Sequence, residues 1–336
     1  MNNVAIIFEF GIPHYRTFLV DYFVRRFKHC RIIHARDKFS TAPRPQTIEA
    51  LPIIGHGETR LYLLNPIQIL RANVIISTFN LRRPHTWMYA LFFPWKRWIF
   101  WGKGLGSSRH ALIRLLRRML FSVSDGFIVY TDAGLRELVN SGYPGKRVSV
   151  AYNTLYIPNH ELTEGGQFFL YVGRIQKRKE LETIFPYLST IRKRLWIIGD
   201  GSDKLLLEEE INRIGCGEWV TFLPATYDND ELKRLFSCAI AFVSPGPVGL
   251  GVVHAFSYGV PVITLRNREH GPEFAYCTES NSYLCDDACT LGTAMEQCLS
   301  KPEDHIRKRQ EAYRFFTKNL DVQNVFDAFE FHLKQK

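Results

Sequence analysis

Residues 168–180 read FFLYVGRIQKRKE, an apolar run that stops at a glycine and continues into a basic loop. Five consecutive apolar residues are typical of a strand that is buried on both faces of a parallel sheet. Similar runs recur through the second half of the chain, and helix-like segments separate them. The strands predicted there are Phe168–Val172, Leu195–Ile198, Val220–Leu223, Ile240–Ser244 and Val262–Thr264.

The first half of the chain shows the same alternation. Its predicted strands are Val4–Phe8, Arg31–His34, Val74–Ser77, Trp98–Trp101, Phe127–Tyr130 and Val148–Ala151. Strands and helices that alternate in two blocks predict an α/β protein with two doubly wound parallel sheets. We place one domain at 1–155 and the next at 166–310, with a C-terminal helix at 311–336 that crosses back to the first domain. The cleft between two such domains is the expected binding site.

The composition is that of a globular protein. The 336 residues are 46% apolar and 23% charged, which excludes a disordered or collagen-like chain. The apolar stretch at 85–95 is much shorter than the ~20 residues of a membrane-spanning helix. The first residues lack the pattern of a signal peptide, and the seven cysteines have no paired spacing. These features predict reduced thiols and a cytoplasmic protein.

Charge is distributed unevenly along the chain. Residues 1–155 contain 22 Lys and Arg against 8 Asp and Glu, whereas residues 156–336 contain 21 against 25. The first half is therefore expected to face an anionic partner, such as phospholipid headgroups, a lipid-linked phosphate or nucleic acid. Of these three partners, nucleic acid is the one not expected, because no recognition module accompanies the charge.

Two loops in the second half carry residues suited to an anion. Gly173 lets the backbone approach a ligand closely, and Arg174 and Lys179 follow where we expect a helix to begin. Residues 244–251 read SPGPVGLG and open an apolar helix, so their glycines leave several N–H groups unobstructed. The basic loop alone is equally consistent with a solvated turn. The two loops together favour a diphosphate site.

These motifs resemble those of a known family. They are VGR with a lysine at 172–179, IGDG at 198–201, VTFLP at 220–224, GLG at 249–251 and GVPVI at 259–263. Their order and spacing are similar to the donor-binding half of retaining nucleotide-sugar glycosyltransferases of the family 4 type, in particular a bacterial envelope-polysaccharide subgroup. The resemblance covers residues 168–300, and the first half matches only loosely. It implies the GT-B fold, two Rossmann-like domains with a cleft between them.

The resemblance implies roles for matching residues. Arg174 and Lys179 would hold the donor diphosphate, and the amides from Val248 to Gly251 would bind its distal phosphate. The segment 220–224 would contact the base. The residues implied for donor binding are Gly173, Phe222, Pro224, Val248, Gly249, Leu250, Gly251 and His254. His254 and Gly246 stand where the family has two glutamates, at the ribose and at the sugar. No metal or additional cofactor is implied.

Further candidates have competing interpretations. Glu273 would replace a missing acid, or would be a solvated loop glutamate. His14, in the first strand-to-helix loop, would contact the acceptor or leaving group, or would be structural. Lys103 and Arg109 would meet a phosphate, but the glycines around them lack the spacing of a dinucleotide or P-loop motif.

Two metal-like patterns have simpler explanations. Asp228-Asn-Asp230 resembles a metal-binding motif, but it directly precedes a helix, so helix capping is the better interpretation. The cysteines at 277, 285, 289 and 298 lack Cys-x2-Cys spacing, which favours buried thiols over zinc ligands.

A basic amphipathic helix is predicted within 107–121. Arg114, Arg117 and Arg118 share one face and alternate with leucines. One interpretation is a helix that lies on an anionic membrane surface. The other is an ordinary amphipathic helix whose leucines pack on the domain core.

The predicted activity is transfer of a sugar from a nucleotide diphosphate donor to a hydroxyl of a glycan or lipid-linked glycan. The resemblance implies retention of anomeric configuration, a place in cell-surface polysaccharide biosynthesis (lipopolysaccharide or capsule), and a cytoplasmic location at the inner membrane face. Two alternatives remain at this point. One is a nucleotide-sugar epimerase or hydrolase of the same fold, and the other is a non-catalytic nucleotide-sugar-binding scaffold subunit.

Overall fold

The computed structural model describes residues 3–9, 11–35, 47–54, 61–63, 66–104 and 111–334. Its strands are β1 (Val4–Ile7), β2 (Cys30–Ala35), β3 (Thr47–Ile54), β4 (Leu61–Leu63), β5 (Val74–Thr78), β6 (Arg97–Gly102), β7 (Gly126–Val129), β8 (Val148–Val150), β9 (Phe168–Val172), β10 (Leu195–Ile198), β11 (Val220–Leu223), β12 (Ala239–Val243), β13 (Val262–Leu265) and β14 (Ser282–Cys285). Its α-helices are α1 (Thr17–Arg26), α2 (Pro66–Arg71), α3 (Met88–Phe92), α4 (Ala111–Val123), α5 (Asp132–Asn140), α6 (Phe185–Ile191), α7 (Lys204–Ile214), α8 (Asn229–Cys238), α9 (Gly251–Ser257), α10 (Ala288–Ser300), α11 (Pro302–Phe315) and α12 (Val322–Lys334).

The chain forms two compact units. Unit 1 comprises Met1–Tyr152 and Val322–Lys336, and unit 2 comprises Asn153–Asp321. From the sequence we expected the domain boundary in the segment 155–166, a linker that contains Pro158 and the pair Gly165–Gly166; this segment lies within unit 2. The final segment differs from the single helix expected at 311–336, because a π-helical turn at Phe316–Leu320 separates α11 from α12.

The sheet of unit 1 has the strand order β4-β3-β2-β1-β5-β6-β7-β8. Its pairs are parallel except β3 with β4, which is antiparallel. The central strands are buried on both faces, since Val4 and Ile6 contribute to one apolar cluster and Ala5 and Ile7 to another. Burial on both faces explains why these strands read as continuous apolar runs.

The sheet of unit 2 is parallel throughout, in the order β11-β10-β9-β12-β13-β14. The chain builds outward from β9 to β11 and then returns to add β12 on the other side of β9. Strand order therefore reverses between β9 and β12, which is the point where doubly wound sheets bind ligands. The loops that leave these two strands are the basic loop (173–180) and the glycine-rich loop (244–251). The α/β fold expected from the sequence is confirmed.

Helix capping explains the metal-like acidic pattern. The Asp228 side chain accepts a hydrogen bond from the Glu231 amide at 2.8 Å and caps α8.

Of the four cysteines interpreted as buried thiols, those at 277, 285 and 298 are buried, but Cys289 is exposed on α10. Within the described ranges, no helix is long and apolar enough to cross a bilayer.

Candidate active site

The basic and glycine-rich loops of unit 2 are in direct contact. The Gly246 amide donates to the Lys179 carbonyl at 3.0 Å, and Lys179 Nζ donates to the Pro247 carbonyl. A Cβ atom on Gly246 would overlap the Arg178 carbonyl oxygen and the Lys179 backbone. Glycine at 246 is therefore required for the approach of the two loops.

A third glycine segment, at 199–201, supports the basic loop from the side of β10. The Gly173 amide donates to the Ile198 carbonyl at 3.0 Å. Side chains at Gly199 or Gly201 would overlap the carbonyl oxygens of Gly173 and Ile175, respectively. These contacts explain the IGDG motif as a requirement for close backbone packing.

The basic loop differs from the sequence-based expectation in one respect. No α-helix begins at Arg174 or Lys179, because the chain forms 3-10 turns at Lys177–Lys179 and Leu181–Ile184 before α6 starts at Phe185. The residue between the turns, Glu180, has a left-handed conformation (φ 53°) that interrupts helical geometry. The two cations therefore lie on a loop and not at the start of α6.

The two cations differ in environment. Arg174 is exposed, whereas Lys179 is half-buried. The pKa of Lys179 is lowered to about 8, mainly by burial. The positive charges of Arg178 and Arg174 act in the same direction, and the negative charge of Glu273 opposes them. Lys179 is thus mostly protonated at pH 7 but close to its titration range.

The glycine-rich loop offers fewer amides than expected. The Val248 amide donates to His270 Nδ1 at 3.1 Å, so in this structure it is not available to a phosphate. The first bonds of the α9 turn run from Val252 to Gly249 at 3.2 Å and from Val253 to Leu250 at 3.0 Å. The amides of 249–251 precede those bonds, as in any helix start. Of the four amides predicted to bind phosphate, those of residues 249–251 are therefore the ones that can face a ligand.

The glycines of this loop are expected to respond differently to alanine. A Cβ on Gly249 meets no atom within 4 Å, whereas one on Gly246 overlaps backbone and one on Gly251 overlaps the Phe242 ring. Gly246→Ala should therefore lower the free energy of unfolding by about 1–3 kcal/mol, as overpacking does, and Gly249→Ala should leave it unchanged or slightly raised. Thermal unfolding of the two variants measures the contrast, and equal destabilisation would contradict this loop geometry.

A loop that the sequence analysis left without a role, 266–271, follows β13 and contacts both others. The Arg268 guanidinium makes two hydrogen bonds of 2.6 Å to the carboxylate of Glu180. His270 binds the Val248 amide and donates from Nε2 to the Leu265 carbonyl at 2.7 Å. The sequence signal was present, because residues 266–270 read RNREH directly after a predicted strand.

Glu273 is not the solvated loop residue of the alternative interpretation. It lies on a 3-10 turn, Pro272–Tyr276, and is only 7% exposed. Its carboxylate accepts a hydrogen bond from the side-chain amide of Asn153. Asn153 is itself held in place, because its backbone carbonyl accepts a hydrogen bond of 3.0 Å from the Tyr276 hydroxyl. The carboxylate is therefore fixed in position, near enough to Lys179 to affect its pKa.

The remaining donor-side candidates lie on α9 and β11. The His254 ring stacks on Phe236 at 5.6 Å, and among the described residues its buried Nδ1 has no hydrogen-bond partner. Burial lowers the pKa of His254 to about 4, so the ring is neutral at pH 7. Phe222 is half-buried on the edge strand β11 with Lys204 Nζ 5.7 Å from its ring, and Pro224 is exposed.

The candidates of unit 1 are solvent-accessible. His14 lies on a 3-10 turn after β1, and Lys103 directly follows β6; both are exposed. Arg109 lies outside the described residues. On α4, the arginines at 114 and 118 are exposed and Arg117 is half-buried.

Comparisons with known proteins agree with this geometry. Residues 166–301 match the family model described as Glycosyl transferases group 1. HepE of Anabaena, solved in complex with UDP, is 12% identical with a TM-score of 0.70, covering 98% of this chain and 99% of its own. The lipopolysaccharide outer core galactosyltransferase WaaB is 15% identical with a TM-score of 0.67, covering 98% of both chains. Sucrose-phosphate synthase of Thermosynechococcus elongatus is 16% identical with a TM-score of 0.65, covering 98% and 97%. No curated protein sequence matches the chain.

The fold is thus the GT-B fold of nucleotide-sugar glycosyltransferases. Residues 166–301, which contain all three loops of the site in unit 2, form a group 1 glycosyltransferase domain. The family match lies entirely within unit 2.

Proposed function

We propose that this enzyme transfers a sugar from a UDP-sugar to a hydroxyl of a glycan or lipid-linked glycan, with retention of anomeric configuration, in cell-surface polysaccharide biosynthesis. The observation that carries the proposal is the direct contact between the basic loop and the glycine-rich loop at the reversal point of the sheet in unit 2. UDP is chosen because HepE was solved with it, and the polysaccharide because WaaB is a lipopolysaccharide galactosyltransferase.

In this proposal the donor diphosphate is both the leaving group and the base of the reaction. Arg174, Lys179 and the amides of 249–251 stabilise the negative charge that grows on the departing diphosphate. That diphosphate acts as the base toward the acceptor hydroxyl on the same face of the sugar, and no covalent enzyme intermediate forms. Glu273 contacts the sugar in place of the family's missing acid, and His14 contacts the acceptor. The proposal includes no metal.

The test is a thermal-shift screen of the purified protein against UDP, GDP, ADP, CDP and dTDP, with their monophosphates and sugars. A ligand at 100 times its Kd stabilises the folded state by ~2.7 kcal/mol, which is a measurable shift. Stabilisation by UDP and UDP-sugars but not by UMP supports the proposal. No response to any diphosphate contradicts it and favours the scaffold alternative. Sugar release or epimerisation without an acceptor would favour the hydrolase or epimerase alternative.

Donor affinity should depend on pH through Lys179. The free enzyme carries this lysine with a pKa of about 8, and only its protonated form attracts the diphosphate. The Kd for UDP is therefore expected to be constant from pH 6.5 to 7.5 and to rise above pH 8, by up to about tenfold per pH unit. Calorimetric titration measures it, and a Kd that is flat to pH 9.5 would exclude Lys179 as a ligand.

We further propose that α4 contacts an anionic membrane surface. The apolar side chains of Leu112, Leu115 and Met119 are 70, 55 and 46% exposed on this helix, whereas Leu120 is buried in the core of unit 1. The core-packing interpretation thus accounts for one face of α4 and leaves a second apolar face in solvent. Exposed arginines at 114 and 118 flank that face, which suits anionic headgroups.

Vesicle sedimentation tests the membrane proposal. The protein should bind vesicles that contain phosphatidylglycerol and not vesicles of phosphatidylcholine alone. The double change Arg114→Glu and Arg118→Glu should weaken binding at least about tenfold, since each charge near an anionic surface contributes ~1 kcal/mol. The control with the same change in charge is Arg136→Glu with Lys146→Glu, at two exposed positions of unit 1 outside α4. Equal binding by both variants would contradict the proposal.

A further inference from the structure

His270 bridges two segments of unit 2 through both ring nitrogens. Nε2 donates to the Leu265 carbonyl at 2.7 Å, at the end of β13, and Nδ1 accepts from the Val248 amide at 3.1 Å. These partners fix the tautomer, since a carbonyl only accepts and an amide N–H only donates. The ring also stacks on Phe274 with centroids 4.0 Å apart and planes 9° apart. His270 is thus held on three sides.

The environment favours the neutral ring that this arrangement needs. Burial lowers the pKa of His270, and the positive charges of Lys179 and Arg268 lower it further, although the Leu265 carbonyl opposes them. A protonated ring would present N–H groups at both nitrogens and could not accept from Val248.

The contact determines which amides of the glycine-rich loop remain for a ligand. Val248 is buried, and its N–H points to His270. Gly249 follows directly, and space within 4 Å of its Cβ position is empty. The segment 249–251 is thus held at both ends, by the Val248 contact on one side and by the bonds from Val252 to Gly249 and from Val253 to Leu250 on the other. Anchoring both ends limits the directions that the amides between them can take.

We propose that His270 is a positioning residue, which aligns the amides of 249–251 with the donor diphosphate by holding the Val248 amide. The inference rests on the proposed function, since it takes the diphosphate to bind at this loop. His270 contacts no ligand in this role and acts through the backbone of the loop alone. The donor site then includes three loops, and the loop after β13 controls affinity.

Two substitutions separate the two hydrogen bonds of the ring. In His270→Asn, the side-chain oxygen can occupy the position of Nδ1 and accept from Val248, while the Leu265 contact is lost. In His270→Gln, the amide reaches the position of Nε2 and keeps the Leu265 contact, while Val248 loses its acceptor. Both variants lose the stacking on Phe274, so they form a matched pair.

The experiment combines hydrogen exchange of the ligand-free proteins with calorimetric titration of UDP. We expect the peptide that contains Val248 to exchange faster in His270→Gln than in the wild type, and UDP to bind about tenfold more weakly, as for one lost hydrogen bond. In His270→Asn, exchange and affinity should both stay near the wild-type values. That rescue distinguishes alignment of the loop from a general loss of packing.

The contrary outcomes are distinct. Equal exchange in all three proteins would show that His270 does not hold the loop. Faster exchange in His270→Gln with unchanged UDP affinity would overturn the role in donor binding and leave the proposed function intact. If the wild type binds none of the five nucleoside diphosphates while the exchange contrast persists, the proposed function fails, and the positioning role fails with it.

Discussion

Lys179→Ala and Arg174→Ala are each expected to lower kcat by about 10²- to 10³-fold, which is the usual cost of removing one group that stabilises transition-state charge. Both side chains lie in the loop after β9, at the reversal point of the sheet in unit 2. Lys179 is half-buried, so water competes less for its charge there than at the surface. Glycosyl transfer from a UDP-sugar, followed by release of UDP, measures the effect.

The control is a third cation in the same loop. Arg178 is exposed, and its Nε donates to the side-chain oxygen of Gln176 at 3.1 Å. Arg178→Ala changes the loop charge equally but removes no proposed ligand, so it should retain activity within about threefold, as changes at exposed positions usually do. Full activity of the Arg174 and Lys179 variants, with unfolding midpoints like that of the wild type, would remove both residues from the site.

Arg309→Leu is expected to destabilise unit 2 by about 3 kcal/mol, because three backbone carbonyls lose the guanidinium that donates to them. The Arg309 guanidinium is buried in α11 and donates to the carbonyls of Thr163 at 2.7 and 3.0 Å, Ala239 at 3.1 Å and Ile240 at 3.3 Å. Burial lowers its pKa to about 10, so it keeps its charge at pH 7. The side chain thus ties residue 163 to the start of β12.

Thermal unfolding measures this effect. A loss of about 3 kcal/mol should lower Tm by roughly 6–12 °C in a unit of this size. Arg314→Leu on the same helix is the control, since Arg314 is 70% exposed and pairs only with Glu311 among its described neighbours, at 3.0 Å. Exposed pairs contribute little, so its change should stay within about 0.5 kcal/mol. Similar Tm values for both variants would show that the carbonyl contacts of Arg309 are replaceable.

The strands that could be predicted from the sequence are those made almost entirely of apolar residues, as burial on both faces requires. β9 and β12 are wholly apolar, and their sequence leaves few alternatives to a buried strand. β3 and β4 were missed because β3 includes Glu49 and Pro52, which disfavour a strand, and β4 has only three residues. β4 is the edge strand and β3 lies between β4 and β2, and these positions depend on contacts that are distant in the chain.

The same limit applies to the site. Arg174 and Lys179 were identifiable because they directly follow a strand, so local order indicates their place. His270 was not, since its partner Val248 lies 22 residues away and the contact depends on the pairing of β12 with β13. The prediction that a helix begins at Arg174 or Lys179 was wrong for another reason. The side chain of Glu180 gives no sequence signal for its left-handed conformation, which the surrounding contacts impose.

The position of α12 has a consequence for biosynthesis. This last helix supplies Val325 and Phe329 to a core cluster of unit 1, where Phe329 packs edge-to-face against Trp101 at 5.4 Å. A ribosome must therefore make all of unit 2 before unit 1 has its full core. Unit 2 is continuous in sequence and is free to fold first, which reverses the usual order in which the earlier-made domain matures before the later one. Until α12 emerges, the part of unit 1 already made exposes the apolar residues that α12 covers in the folded protein.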